Sequence, residues 1–196
     1  MSNKLTIIGC GYLGSALAKV CIDKGWEVSA LTRNSETATE LRNIGVSLVV
    51  ESQIENDDWH TQLDPSQDFV VNCVGASSGD IDGYITSYIE GQDSVMTWLD
   101  QGNVGTFLFT SSSSVYPQTG KRFVDETASS AGVSEKAGLL LAAEQKCFPP
   151  VPSIGRSFIL RLAGLYGPGR HLLIDKIKAV SGIFRPFIYL GVLITG

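Results

Sequence analysis

A parallel α/β sheet with helices on both faces is the fold this sequence predicts, and three observations predict it. Short apolar runs recur along the 196 residues, each followed by a stretch with helical spacing. The first such handover carries three glycines, in Ile8-Gly9-Cys10-Gly11-Tyr12-Leu13-Gly14. The run Phe69 to Val74 is apolar except for Asn72, as in a strand covered on both sides. Together they describe a doubly wound sheet of Rossmann type, whose ligands bind beyond the carboxyl ends of the strands.

The elements follow in order. A strand over Leu5 to Ile8 leads to a helix over Ser15 to Lys24, with Leu13, Ala16, Leu17, Val20 and Cys21 as its buried stripe and Gly25 as its stop. A strand over Glu27 to Thr32 precedes a polar helix from Ser35 to Asn43, closed near Gly45, and a third strand covers Val46 to Val50. The strand Phe69 to Val74 comes next, then a helix over Tyr84 to Leu99 and a strand over Thr106 to Thr110. A helix over Ser134 to Phe148 runs through Pro149-Pro150-Val151-Pro152 into a strand over Ser157 to Leu162.

Composition narrows the class. Apolar residues make up 43% and charged residues 18%, the balance of a globular protein large enough for a sound core. A formal charge of -5 without a basic cluster argues against nucleic acid as a partner. Cys10, Cys21, Cys73 and Cys147 are scattered, and His60 and His171 are isolated, so no metal spacing is present. Buried free thiols and a cytoplasmic location are expected. Gly9 interrupts the first apolar run too early for a signal peptide, and no stretch has the length of a membrane span.

Each glycine at the first handover has a mechanical reason. Gly9 makes the tight turn, Gly11 lets backbone approach a pyrophosphate, and Gly14 lets helix and strand pack closely. The phosphates then lie at the helix N-terminus, on the amides around Tyr12 and Leu13. The second strand ends in Thr32-Arg33-Asn34 rather than in an acidic residue. A carboxylate there would repel a 2′-phosphate, whereas a guanidinium grips one, so Arg33 argues for NADP over NAD. A solvated arginine at a helix start is the plainer alternative. Thr32, Asn34 and Ser35 could meet the same phosphate, Glu51 is a weaker candidate for the adenine edge, and the small residues of Cys73-Val74-Gly75-Ala76 leave room beside the adenosine ribose.

By the fifth strand the likeness is specific. Phe107-Leu108-Phe109-Thr110-Ser111-Ser112-Ser113-Ser114-Val115-Tyr116, then Val124-Asp125-Glu126, then Leu160-Arg161-Leu162-Ala163-Gly164-Leu165-Tyr166-Gly167-Pro168-Gly169, resemble the extended short-chain dehydrogenase/reductase superfamily, and within it the NAD-dependent epimerase/dehydratase proteins. The resemblance runs from about Lys4 to about Leu173. It implies a dinucleotide-binding domain with a smaller C-terminal substrate lobe. The implied reaction is reversible hydride transfer on a small alcohol, a carbonyl compound or a nucleotide sugar.

The resemblance also implies a catalytic Ser, Tyr and Lys. Ser112 takes the serine place and Ser114 flanks it. The Tyr and Lys of such proteins stand four apart on the next helix, where the cation tunes the phenol as a base. Registering on Ala142-Ala143-Glu144-Gln145 puts Lys136 at the Tyr position and Leu140 at the Lys position. No tyrosine lies between Tyr116 and Tyr166, so the pair is absent. Lys136 is either a substitute base or an exposed first-turn lysine, and Tyr116 is either a hydroxyl donor or a packing group beside the nicotinamide. A catalytically silent dinucleotide-binding protein is therefore a second reading.

Residues 1–180 are expected to form the nucleotide-binding domain, with 181–196 as an atypical tail in place of the substrate lobe. Arg170 to Ala179 has the apolar set Leu172, Leu173, Ile174, Ile177 and Val180 for a helix. The tail from Gly182 is expected either to be a truncated or frame-altered end or to form an ordinary final strand. By analogy with the superfamily, Tyr84 to Leu99 and Ser134 to Phe148 are candidate surfaces for a homodimer.

Overall fold

The computed structural model describes residues 2–120, 122–148 and 151–170; the expected helix beyond Arg170 and the tail 181–196 lie outside them. Six parallel strands form one sheet in the order β3-β2-β1-β4-β5-β6. They are β1 Lys4–Ile8, β2 Glu27–Thr32, β3 Leu48–Glu51, β4 Gln67–Asn72, β5 Val104–Ser112 and β6 Ile154–Leu162. The helices are α1 Tyr12–Asp23, α2 Ser35–Asn43, α3 Ile81–Ile85, α4 Gly91–Leu99 and α5 Glu135–Lys146. The crossover from β3 to β4 reverses the strand order beside β1. Its carboxyl end, Ile8, pairs level with Leu31 on one side and Asn72 on the other. That reversal is the switch point where such sheets bind ligands.

Alternation along each strand divides the core in two. On one face Ile8, Val70, Phe107, Phe109 and Ile159 pack against Val95, Trp98 and Leu99 of α4 and Ala143 of α5. Trp59 and Leu63, from the β3–β4 connection, complete that core. Both indoles are satisfied, Trp59 Nε1–H donating to the Ile54 carbonyl at 3.2 Å and Trp98 Nε1–H to the Leu63 carbonyl at 3.1 Å. On the other face Leu5, Ile7, Val28 and Ala30 pack against Ala18 and Cys21 of α1 and Leu41 of α2. The amide of buried Asn72 donates to Gln92 Oε1 at 2.8 Å, and its Oδ1 accepts the Val74 N–H at 3.0 Å, so the polar break in β4 is paired.

Three expectations change. The buried stripe of α1 is Gly14, Ala18 and Cys21; Ala16 is exposed, and Val20 is 52% exposed. A Cβ on Gly14 would lie 3.0 Å from Ile7 Cγ2, so helix and sheet meet along this line of small residues, and Leu13 and Leu17 fall at its edge. The expected helix Tyr84 to Leu99 is interrupted by a π turn over Thr86–Glu90. Such turns recur at functional sites, and here Ser87 and Tyr88 stand on the wall of the cleft described below. Finally, β4 ends at Asn72, so Cys73 and Val74 lie beyond the strand, in the cleft wall. Among the described residues, no helix is long and apolar enough to cross a membrane.

Candidate dinucleotide-binding cleft

The turn after β1 is built around its glycines. Gly9 has a φ of 70°, in the left-handed region, and a Cβ there would stand 2.3 Å from Val74 Cγ2 and 2.7 Å from Val74 Cα. No side chain fits. The Gly11 N–H donates to the Gly9 carbonyl at 2.7 Å, and the Cys10 N–H to the Leu31 carbonyl at 2.8 Å, which pins the turn between β1 and β2. A Cβ on Gly11 meets nothing nearer than the Gly9 oxygen at 4.0 Å, so it would project into open space over the helix end. Gly11 caps α1 without a side-chain hydrogen bond, and no acidic residue stands in the first turn. First-turn amides are left for an external anion, with no carboxylate to repel it.

This turn opens on a cleft of about 710 Å³ along the carboxyl ends of the strands. Gly9, Gly11, Tyr12 and Leu13 form its floor, Thr32, Arg33 and Asn34 one end, and Val74, Gly75 and Ala76 the wall beyond β4. Gly14 lies behind this surface, buried against β1. The open space over Gly11 and the uncapped first-turn amides make the cleft suitable for a dinucleotide.

At the β2 end, Asn34 caps α2, its Oδ1 accepting the Thr37 N–H at 2.8 Å. The Thr32 hydroxyl accepts the Asn34 N–H at 3.4 Å. Arg33 is exposed, and its Nη2 donates to the Ser77 carbonyl across the cleft at 3.3 Å. Arg33 and the first residues of α2, Asn34 and Thr37, thus line the same end of the cleft. Glu51 is taken up elsewhere: it pairs with Arg42 at 2.7 Å and is not among the lining residues. Ser52, Gln53 and Glu55, just past β3, line the cleft instead. That strand ends point into the cleft was the available signal for them; Ser87 and Tyr88 had none, because their placement depends on the π turn. Ser35 does not line the cleft.

At the β5 end, Ser112 and Ser114 both line the cleft. The Ser112 hydroxyl oxygen accepts the Ser114 N–H at 3.1 Å, closing a tight turn anchored by fully buried Val115, and its own proton stays available. Tyr116 is not part of the lining. Its hydroxyl accepts from Arg161 Nη1 at 2.9 Å, and the guanidinium stands 5.0 Å from the ring centroid. Arg161 in turn bonds the buried Glu144 carboxylate at 2.6 Å, which also accepts from the Ser111 hydroxyl at 2.6 Å. The pairing raises the Arg161 pKa further, so the guanidinium stays charged. Tyr116 thus closes a buried network joining α5, β5 and β6.

Lys136 lies outside the cleft lining as well. Its ammonium donates to the Gly79 carbonyl and stands 5.5 Å from the Tyr84 ring centroid, bracing the β4–α3 loop against α5. Leu140, one turn on, is 3% exposed and belongs to the core. In the middle of the cleft, burial pushes the Cys73 thiol up to about 12, so it carries little thiolate at neutral pH. Burial likewise pushes Tyr88 up, keeping its phenol neutral.

The comparisons agree with this architecture. The chain is 28% identical over 174 residues to protein YeeZ of Escherichia coli (strain K12), covering 86% of this chain and 61% of that protein. It is 28% identical to a protein of Methylobacillus flagellatus described as an NAD-dependent epimerase/dehydratase, with a TM-score of 0.70 over 90% of this chain and 59% of that one. The fold also matches UDP-glucuronic acid 4-epimerase from Bacillus cereus, solved with NAD, at a TM-score of 0.72 and 21% identity, covering 86% of this chain and 58% of that one. The chain therefore spans about three-fifths of the length of these relatives. The description of one family matches from β1 through residue 181, across both the glycine turn and the serine turn: residues 5–181 place this chain in the NAD-dependent epimerase/dehydratase family.

Proposed function

We propose that this chain binds NADP in preference to NAD and serves an oxidoreductase or epimerase acting by reversible hydride transfer on a small alcohol, a carbonyl compound or a nucleotide sugar. One observation carries the cofactor preference: Arg33, Asn34 and Thr37 line one end of the cleft where β2 ends, and the one carboxylate expected nearby, Glu51, is neutralised by Arg42. A 2′-phosphate in that corner gains a charge-assisted hydrogen bond from Arg33. Binding it asks Arg33 to release the Ser77 carbonyl, a weak bond at 3.3 Å.

A bound nicotinamide dinucleotide supplies the hydride donor or acceptor. The chain contributes the rest. The glycine turn holds the pyrophosphate on the first-turn amides of α1, and small Gly75 and Ala76 admit the ribose beside β4. Ser112 offers its hydroxyl proton to a substrate oxygen on which charge develops. The usual acid/base pair is missing, so proton transfer falls to another group: Ser114 is the candidate that lines the cleft, while Tyr116 and Lys136 stand outside it and would have to leave their partners Arg161 and Gly79 to take part.

A second reading is a dinucleotide-binding protein without turnover. Leu140 favours it, because an apolar core residue at the Lys position leaves nothing there to tune a base. Calorimetric titration with NADPH and NADH, followed by turnover assays on carbonyl and nucleotide-sugar substrates, separates the readings. Saturable NADPH binding tighter than NADH supports the cofactor assignment, and absence of binding to either overturns both. Binding without turnover on any substrate favours the second reading.

A further inference from the structure

Two stretches far apart in the chain meet beside the glycine turn. Tyr12 is the first residue of α1, and its hydroxyl donates to the Pro168 carbonyl at 3.2 Å. Gly167 packs so closely that a Cβ there would lie 2.5 Å from the Tyr12 hydroxyl oxygen. The stretch Gly167-Pro168-Gly169-Arg170 is itself a closed turn. The Arg170 N–H donates to the Gly167 carbonyl at 3.0 Å, and the Gly167 N–H donates to the Arg170 carbonyl at 3.2 Å. The turn that follows β6 is thus fixed against the start of α1.

That turn brings a cation to the helix end. The Arg170 guanidinium stands 5.3 Å from the Tyr12 ring centroid, within the range of a cation–π contact. Contact with the ring positions the guanidinium without neutralising it. Arg170 also lines the cleft, together with Gly9, Gly11, Tyr12 and Leu13. Among the described residues, the charged groups of that lining are Arg33, Glu55 and Arg170. Arg33 and Glu55 follow β2 and β3, whereas Arg170 is the one tied to the first turn of α1. A diphosphate carries a negative charge on each phosphate, and a helix end offers only about half a unit of positive charge. A fixed guanidinium beside that end supplies what the amides lack.

We propose that Arg170, positioned by Tyr12, is a ligand of the diphosphate bridge of the dinucleotide. The proposal rests on the reading of the cleft as a dinucleotide site. A nucleotide-sugar substrate would bring a diphosphate too, but the contact of Arg170 with the first residue of α1 favours the cofactor's.

Calorimetric titration of the full chain with NADPH, NADH and UDP tests this. Arg170→Met keeps an unbranched stem and removes the charge. Both cofactors should then bind about tenfold more weakly, with the NADPH-to-NADH affinity ratio unchanged and far-ultraviolet circular dichroism unaltered. The weakening of NADH binding by salt should become shallower in the variant. Arg170→Lys should recover part of the loss. Tyr12→Leu should weaken both cofactors, and Tyr12→Leu with Arg170→Met should be little weaker than Arg170→Met alone, because the two side chains act as one unit.

Equal NADH affinity in the intact chain and Arg170→Met overturns the proposal and leaves the cleft reading standing. An intact chain that binds neither cofactor overturns both. A changed NADPH-to-NADH ratio would move Arg170 to the 2′-phosphate, and a loss confined to UDP would move it to a substrate. Either result overturns the proposal. Weaker binding with an unchanged salt dependence would make Arg170 a strut rather than a ligand. NADH binding to the intact chain that is insensitive to salt overturns the proposal whatever the variants do.

Discussion

The two ends of the cleft were built under different constraints. At the β1–β2 end the features that our proposal uses to hold a dinucleotide are set by backbone: a turn at Gly9 that admits no side chain, open space over Gly11 and uncapped amides on α1, with Arg33 lining the same cleft. At the β5–α5 end the serine turn remains, but the positions of the Tyr and Lys hold Lys136, tied to the Gly79 carbonyl, and Leu140, buried in the core. The first end is specified by backbone shape, which local sequence dictates. The second needs side chains from separate elements to converge, and here two of them serve packing and loop bracing. Binding and turnover are thus separable in this fold.

Four measurements sharpen or break the contrast. The largest effect is expected from Leu140→Lys. If α5 has given its Lys position over to the core, the unpaired buried ammonium costs about 3–5 kcal/mol in urea unfolding. Normal stability with new turnover would show that the position is still open to the reaction site. Gly11→Val should leave the fold intact, since no protein atom is in its way, and weaken dinucleotide binding by about 100-fold, or about 2.7 kcal/mol. Unchanged affinity in a calorimeter would remove the glycine turn from the site. Arg33→Asp should shift the NADPH-to-NADH affinity ratio by about tenfold or more toward NADH, the scale of one charge-assisted hydrogen bond lost. An unaltered ratio would return Arg33 to the role of a solvated side chain.

The smallest effect is expected from Lys136→Ala. Removing a strut outside the cleft should change dinucleotide affinity by less than about threefold, while amide exchange in the 77–80 loop accelerates. A large loss of turnover with unchanged affinity would make Lys136 the substitute base.

Much of this was legible along the chain. Strand and helix alternation, the glycine turn and the serine motif all lie within short windows, where periodicity and turn chemistry act. Short-range signals misplaced the contact line of α1, because Val20 reads as apolar in any window but points away from the sheet once Gly14 lets the helix settle on Ile7. They also missed the π turn and offered Glu51 as a weaker candidate for the adenine edge, since the Arg42–Glu51 ion pair is not visible in one stretch of sequence. Tyr116 is the same lesson at the reaction end: its partners Arg161 and Glu144 come from β6 and α5.

What sequence alone determined is the sheet, its order of elements and the glycine turn that opens α1, because backbone turns and apolar periodicity are local properties. Tertiary structure decided which side chains reach the cleft and which are spent on packing, because burial and charge pairing depend on neighbours far apart in the chain.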